Sequence, residues 1–66
     1  MDVTVNGRAE QVEPGTTVAG YLAARGLDPA HVVVEINRDI AGRDTFTARE
    51  LQTGDRVEIL RFVGGG

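Results

Sequence analysis

Hydrophobic and polar residues alternate at the start of the chain, where Val3 and Val5 share one side of Asp2 to Asn6. Alternation with a period of two predicts a half-buried β-strand. Asn6-Gly7 follows directly, and this pair is typical of a two-residue type I′ turn, in which both central residues have positive φ. The pattern therefore predicts a β-hairpin whose second strand covers about Arg8 to Glu13.

The spacing changes after Pro14-Gly15, which we expect to end the second strand. Apolar residues then recur at the three- and four-residue intervals of an amphipathic helix, at Val18, Tyr21 and Leu22. Thr16 or Thr17 can cap its first turn, and Gly26 stands where a left-handed C-terminal cap is expected. Gly20 interrupts the helix, which suggests close packing against the sheet.

The second half of the chain predicts three further strands. Val32 to Asn37 is rich in β-branched residues and is the clearest strand of the sequence. A turn at residues 37–39 precedes a very short strand at Ile40-Ala41. The segment 44–52 has weak periodicity, with Phe46 and Leu51 as its expected core contacts. A turn at residues 53–55 leads into the last strand, from Arg56 to about Phe62.

The order of elements is hairpin, helix, strand, short strand, strand. One amphipathic helix on one face of a sheet gives a two-layer α+β domain. The order matches the β-grasp, or ubiquitin-like, fold, with a mixed sheet of four to five strands packed on one main helix. We expect residues 1–63 to form this domain and residues 64–66 to form a flexible glycine tail.

Composition narrows the possible functions. The chain has 66 residues, a net charge of −3, no cysteine and one histidine, His31. It has no basic stripe for nucleic acid, no apolar run long enough for a membrane, no residues for a zinc site and no pattern of catalytic side chains. We expect a cytoplasmic monomer without a bound cofactor or metal, in which His31 is structural or faces solvent.

The strongest chemical candidate is the glycine run Gly64-Gly65-Gly66 and its terminal carboxylate. Glycine has no Cβ, so another backbone or a nucleotide can approach closely. We expect Gly64 and Gly65 to thread the carboxylate of Gly66 into a partner's active site, with Gly64 acting as a spacer. The alternative is a frayed terminus or a cloning remnant.

A docking surface is expected beside this tail. Leu60 and Phe62 fall on the face of the last strand opposite Val57, where a half-exposed sheet is normally polar. We group Val63 with them as a partner contact. The alternative is that Phe62 folds back over the sheet edge as an extra core residue. Arg43 is expected either to pair with a carboxylate of the domain or a partner, or to be solvated.

The acidic pairs of the sequence give no catalytic pattern. Glu10 with Glu13 and Asp39 with Asp44 have no partners that suggest acid–base chemistry. We interpret all four as solvated edge and loop charges that favour solubility.

The chain resembles the ThiS family of sulfur carriers over essentially its full length. The shared features are Val5-Asn6-Gly7, the Gly15 to Val18 entry to the helix, Val34 to Asn37 followed by Arg43, Gly54 to Ile59, and the terminal glycines. Family members often have proline where Gly42 stands and a small residue such as alanine at Gly64. Neither difference affects Gly65 or Gly66.

The resemblance implies a sulfur carrier rather than an enzyme. A ubiquitin-activating-like adenylyltransferase would use ATP to adenylate the Gly66 carboxylate, and a persulfide donor would convert it to a thiocarboxylate. Thiazole synthase would then receive the sulfur for thiamin biosynthesis. Related carriers for molybdopterin, cysteine or tRNA thiolation share the fold and the tail. A ubiquitin-like modifier of lysines and an interaction module with an inert tail are further alternatives.

Overall fold

A computed structural model describes residues 1–62 of the chain. Five strands form one mixed sheet on a single α-helix, and their bounds are β1 Asp2–Val5, β2 Arg8–Gln11, α1 Val18–Ala24, β3 Val32–Ile36, β4 Asp39–Ile40 and β5 Arg56–Arg61. Two short 3₁₀ helices cover Pro29–His31 and Arg43–Thr45. The strand order is β2-β1-β5-β3-β4, in which β1 and β5 are parallel and all other neighbours are antiparallel. The predicted α+β, β-grasp arrangement is confirmed.

The first hairpin forms as its sequence predicts. Asn6 and Gly7 have φ values of 49° and 82°, which a type I′ turn requires at both central positions. Val5 therefore lies opposite Arg8, and Val3 lies opposite Glu10. Because directly opposed residues share a face of the sheet, Arg8 and Glu10 lie on the same side as the buried valines of β1.

The helix is short, and its two ends are both capped. Thr17 accepts a hydrogen bond from the Gly20 N–H at 3.0 Å. At the other end Gly26 has a φ of 69°, and the Leu27 N–H donates to the carbonyl of Leu22 at 2.9 Å, as in a Schellman motif. A helix of seven residues is not stable by itself, so the caps and tertiary packing hold it in place.

The expectation that Gly20 packs closely against the sheet is wrong. Gly20 is exposed. A Cβ built there would meet the Oγ1 of the capping Thr17 at 3.3 Å rather than any atom of the sheet. The glycine therefore leaves room for the cap and makes no contact with a strand.

The hydrophobic core lies between the helix and one face of the sheet. Its apolar residues come from β1, the helix, β3, β5 and the segment between β4 and β5, and they are Val3, Val5, Val18, Tyr21, Leu22, Val32, Val34, Ile36, Ala41, Phe46, Leu51 and Val57. Phe46 and Leu51 are each 3% exposed, as the sequence predicts. The opposite face of the sheet is not covered by a helix, and we call it the open face.

The sequence patterns did not predict that a carboxylate directly before β5, that of Asp55, is buried. Asp55 is 6% exposed, although its Thr-Gly-Asp context is typical of a surface turn. It accepts hydrogen bonds from the Gln52 backbone N–H at 2.7 Å and from the Asn37 side-chain amide at 2.9 Å. Asn37 also accepts from the Arg56 N–H at 2.9 Å. This cluster, Asp55–Asn37–Gln52, joins the two turns that flank β3 and β5.

Candidate docking surface and carrier tail

The two apolar side chains predicted to form a docking surface are exposed. Leu60 is 64% exposed and Phe62 is 43% exposed, whereas Val57 is 2% exposed. Side chains alternate along a strand, so the burial of Val57 places Leu60 on the open face. The alternative in which Phe62 becomes an extra core residue is wrong.

The neighbouring strand extends this apolar surface. Val33 of β3 lies directly opposite Leu60 in the antiparallel register. The Phe62 N–H donates to the His31 carbonyl at 3.0 Å, and the His31 and Phe62 rings meet edge to face with centroids 6.4 Å apart. We call Val33, Leu60 and Phe62 the apolar patch. His31 therefore supports its rim, and its side chain is 53% exposed, in line with a structural or solvent-facing histidine.

Charged residues continue the open face away from the apolar patch. Glu35 of β3 lies directly opposite Glu58 of β5. Like charges in directly opposed positions disfavour the pairing of two strands. Ile40, on β4, lies opposite Glu35 and is 71% exposed. The open face is thus apolar at the end of β5 and acidic in the middle of the sheet.

Arg43 does not pair with a carboxylate among the residues that the structure describes. Its Nε donates to the Pro29 carbonyl at 2.8 Å, and its Nη2 donates to the Val32 carbonyl at 3.2 Å. The guanidinium thereby ties the loop after β4 to the start of β3. The expectation of a carboxylate partner within the domain is wrong for the described residues, and a contact with another protein stays a prediction.

The tail itself lies outside the described residues. Val63, Gly64, Gly65 and Gly66 were predicted as a docking contact, two threading glycines and the carrier site. From Phe62 to Gly66 an extended chain covers at most about 14 Å, at roughly 3.3–3.6 Å for each residue. The proposed reacting carboxylate is therefore at most about 14 Å of chain away from Phe62 of the apolar patch.

A polar network on the helix side of the sheet was missed by the sequence interpretation. Glu10 accepts a hydrogen bond from the Tyr21 hydroxyl at 2.8 Å, and it also pairs with Arg25. The Arg25 guanidinium lies over the Tyr21 ring, 5.1 Å from its centroid. The interpretation of Glu10 as a solvated edge charge is therefore wrong. Its partners follow it by 11 and 15 residues, so no short-range spacing could reveal them.

The network changes the acid–base behaviour of the tyrosine. Burial raises the pKa of Tyr21 to about 12. The hydrogen bond to Glu10 and the charge of that carboxylate act in the same direction, whereas Arg25 opposes them. Since Tyr21 stays neutral at physiological pH, it adds no negative charge to this part of the surface.

A groove opens beside this network, between the helix and the ends of β2 and β5. Its volume is about 590 Å³, and its lining includes Arg8, Arg25, Arg61, Val5, Leu27 and Ile59. We call it the basic groove. The described residues contain no cluster of side chains suited to a metal ion. Nor do they include a helix long and apolar enough to span a bilayer.

Comparisons with known proteins agree with this fold. The ThiS family profile matches residues 3–66. The sulfur carrier protein ThiS of Bacillus subtilis (strain 168) is 36% identical over 63 residues, which is 94% of this chain and 96% of that protein. The crystal structure of the thiamine biosynthesis protein ThiS from Geobacter metallireducens superposes with a TM-score of 0.84 at 36% identity, over all of both chains.

Two larger proteins contain a stretch similar to this whole chain. Thiazole synthase of Magnetococcus marinus is 39% identical over 66 residues, and that of Paramagnetospirillum magneticum is 32% identical over 66 residues. This chain spans 20% of the length of each.

Proposed function

The chain belongs to the ThiS family, and from this premise we propose that it is a sulfur carrier of thiamin biosynthesis whose Gly66 carboxylate holds the sulfur. The observation that carries the proposal is the match to a sulfur carrier ThiS over nearly the full length of both proteins. The chain acts in this proposal as a protein co-substrate, and the catalytic groups belong to its partners.

The proposed chemistry begins with activation of a poor electrophile. A Gly66 carboxylate oxygen attacks the α-phosphorus of ATP, pyrophosphate leaves, and an acyl-adenylate forms on a ubiquitin-activating-like adenylyltransferase. The terminal sulfur of a persulfide donor then attacks the acyl carbon and displaces AMP. A thiol reduces the resulting acyl disulfide, which releases the thiocarboxylate and leaves a disulfide on the donor side.

Thiazole synthase is the proposed acceptor of the sulfur. The support is that two thiazole synthases each include a stretch similar to this chain. Fusion of two partners in one polypeptide raises their effective concentration for each other, so such proteins are expected where a carrier and its acceptor work together. ATP is plentiful in the cytoplasm, where we propose that the carrier works.

The apolar patch is the proposed contact with the activating enzyme. Leu60 near the end of β5 and Phe62 directly after it are exposed and apolar, and both precede the tail. Val63 and Arg43 complete the proposed docking residues. Burial of such side chains at an interface contributes affinity, while the glycines, with no side chains, enter a narrow channel.

Intact-mass analysis tests the carrier chemistry. The chain is incubated with the adenylyltransferase, ATP and a persulfide donor, and replacement of one oxygen by sulfur is expected to raise its mass by the difference between the two atoms. A variant without Gly66 should fold normally and gain no sulfur. An unchanged mass of the full chain, alongside a working ThiS control, contradicts the proposal, as does an isopeptide-linked product.

Paired substitutions test the docking patch. Leu60→Ser with Phe62→Ser should weaken binding to the adenylyltransferase roughly tenfold or more, because both side chains are expected to be buried in the complex. The matched control is Ile40→Ser, which removes an equally exposed apolar group from the same face. The patch is ruled out if the control weakens binding as much, or if the double variant loses most of its thermal stability.

A further inference from the structure

The basic groove lies on the other side of β5 from the apolar patch. Arg61 alternates with Leu60 along the strand and lines the groove, so its side chain faces the helix side whereas that of Leu60 faces away. Arg8 reaches the same groove from β2 because it lies opposite Val5 on the helix side of the hairpin. The end of β5 is thus apolar on one face and cationic on the other.

The charge in the groove is not neutralised by the described residues. Three guanidinium groups, from Arg8, Arg25 and Arg61, line it together with one carboxylate, that of Glu10. Glu10 is already paired with Arg25, and within residues 1–62 neither Arg8 nor Arg61 forms an ion pair. This positive region stands out on a chain whose net charge is −3.

The walls of the groove are held in place before any ligand binds. Asn6 extends the sheet beyond the end of β1, because its side chain accepts from the Ile59 N–H at 2.7 Å and donates to the Ile59 carbonyl at 3.3 Å. Arg25 is fixed by Glu10 and by the face of Tyr21. A preformed site loses less conformational entropy on binding than a mobile one.

We propose that the basic groove binds an acidic segment of a partner protein, with aspartate or glutamate carboxylates on Arg8 and Arg61 and an apolar side chain on the floor. Arginine forms paired hydrogen bonds with carboxylates. The floor of Val5, Leu27 and Ile59 suits an aliphatic side chain between the acids. This inference rests on the proposed function, since it supplies a second contact for a protein that holds the tail.

A nucleotide fits the groove less well than an acidic peptide. A base stacks best on an aromatic face, and the one aromatic ring that lines the groove, that of Tyr21, has a face covered by Arg25. The groove also lies beside the end of β5 whose opposite face carries Leu60 of the apolar patch. A protein surface can contact both faces of the strand end, whereas a free nucleotide cannot.

A titration followed by NMR tests the ligand class directly. The probe is a short peptide with glutamates on both sides of a leucine, added to the full chain and to its Arg8→Gln, Arg61→Gln variant. The expected result is a shift of the groove amides in the original chain and loss of that shift in the variant. Inorganic phosphate and ATP are the competing probes. If either one shifts the same amides at lower concentration, or if the peptide shifts none, the inference is overturned.

Binding to the adenylyltransferase at several salt concentrations tests whether a partner uses the groove. Arg8→Gln with Arg61→Gln should weaken binding roughly tenfold at low salt and flatten its salt dependence. The control is Arg38→Gln with Arg49→Gln, which changes the net charge equally at positions outside the groove. Equal effects of the two pairs would show a general charge effect and overturn the inference. Sulfur loading of the unmodified chain, measured separately by mass, reports on the proposed function alone.

Discussion

Two polar clusters of this small domain differ in both burial and partners. In the first cluster, Asp55–Asn37–Gln52, Asp55 is buried although Asn37 and Gln52 are exposed, and the cluster's side chains accept from the backbone N–H groups of Gln52 and Arg56, next to the start of β5. Glu10–Tyr21–Arg25 joins three side chains at the edge of a groove, and the side chain of Arg25 is 51% exposed. The carboxylate of the first cluster is buried against backbone N–H groups, whereas the second cluster lines a groove that a ligand can enter.

The difference shows what each cluster can contribute. A buried acceptor that satisfies backbone donors holds the chain path, because those donors would otherwise be left without partners. An exposed network is screened by water and adds little to stability. Such a network instead fixes the positions of charged groups on the surface. We therefore expect substitutions in the first cluster mainly to lower the stability of the domain and substitutions in the second mainly to change its recognition.

The largest effect is expected for Asp55→Ala. The change leaves the Gln52 N–H and the Asn37 amide without an acceptor, which should lower the free energy of unfolding by about 3 kcal/mol. Asp39→Ala removes an exposed carboxylate and should cost no more than about 0.5 kcal/mol. Urea denaturation of both variants gives the comparison. Equal losses would mean that burial does not distinguish the two carboxylates.

An intermediate effect is expected for Asn37→Gly. Glycine tolerates the φ of 53° at this position, so the substitution removes the side-chain hydrogen bonds to Asp55 and Arg56 without straining the turn. The loss should be about 1–2 kcal/mol by denaturation. Arg38→Gly is the matched variant, since Arg38 has a φ of 75° and makes no such bonds. It should be nearly neutral, and a loss as large as that of Asn37→Gly would contradict the role of the amide.

The smallest effect is expected for Tyr21→Phe, and it depends on pH. Loss of the hydroxyl bond to Glu10 should cost about 1 kcal/mol at neutral pH. The pKa of Tyr21 is raised from 10.0 to about 12, so its contribution is fully present below pH 10 and is lost as the pH rises toward about 12. The Tyr21→Phe variant should lack the loss of unfolding free energy that ionisation of Tyr21 causes between pH 10 and about 12.

The alkaline titration of Tyr21 can be measured cleanly because the chain has one tyrosine, no cysteine and no lysine. Absorbance of the tyrosinate follows Tyr21 alone, and circular dichroism follows unfolding over the same pH range. A midpoint for the folded protein at the ordinary tyrosine pKa would contradict the burial of Tyr21 and its hydrogen bond to Glu10.

Local sequence signals predicted the turns, the helix end and the buried faces of this fold well. Asn6-Gly7 determines its turn through backbone conformation alone, and Gly26 ends the helix for the same kind of reason. The β-branched run of β3 and the apolar spacing of the helix gave the correct buried faces. Each of these signals is contained within a few neighbouring residues, and a single sequence is sufficient to read them.

The polar contacts could not be predicted because they join distant parts of the chain. The bond between Asn37 and Asp55 spans 18 residues, and the Arg43 bond to Pro29 spans 14. A surface turn and a buried one have the same local residues at Asp55, so only the packed fold distinguishes them. The apolar patch was predictable because strand alternation alone placed Leu60 on the open face.

The hydrogen bonds of Asn6 have a consequence for the chemical ageing of the protein. An asparagine followed by glycine is prone to deamidation, because the unhindered glycine nitrogen can close a succinimide ring on the side-chain amide. Here both polar atoms of that amide are held by Ile59 across the sheet, and ring closure would have to break both bonds. The folded hairpin therefore protects its own turn, and the shelf life of a preparation depends on how rarely that hairpin opens.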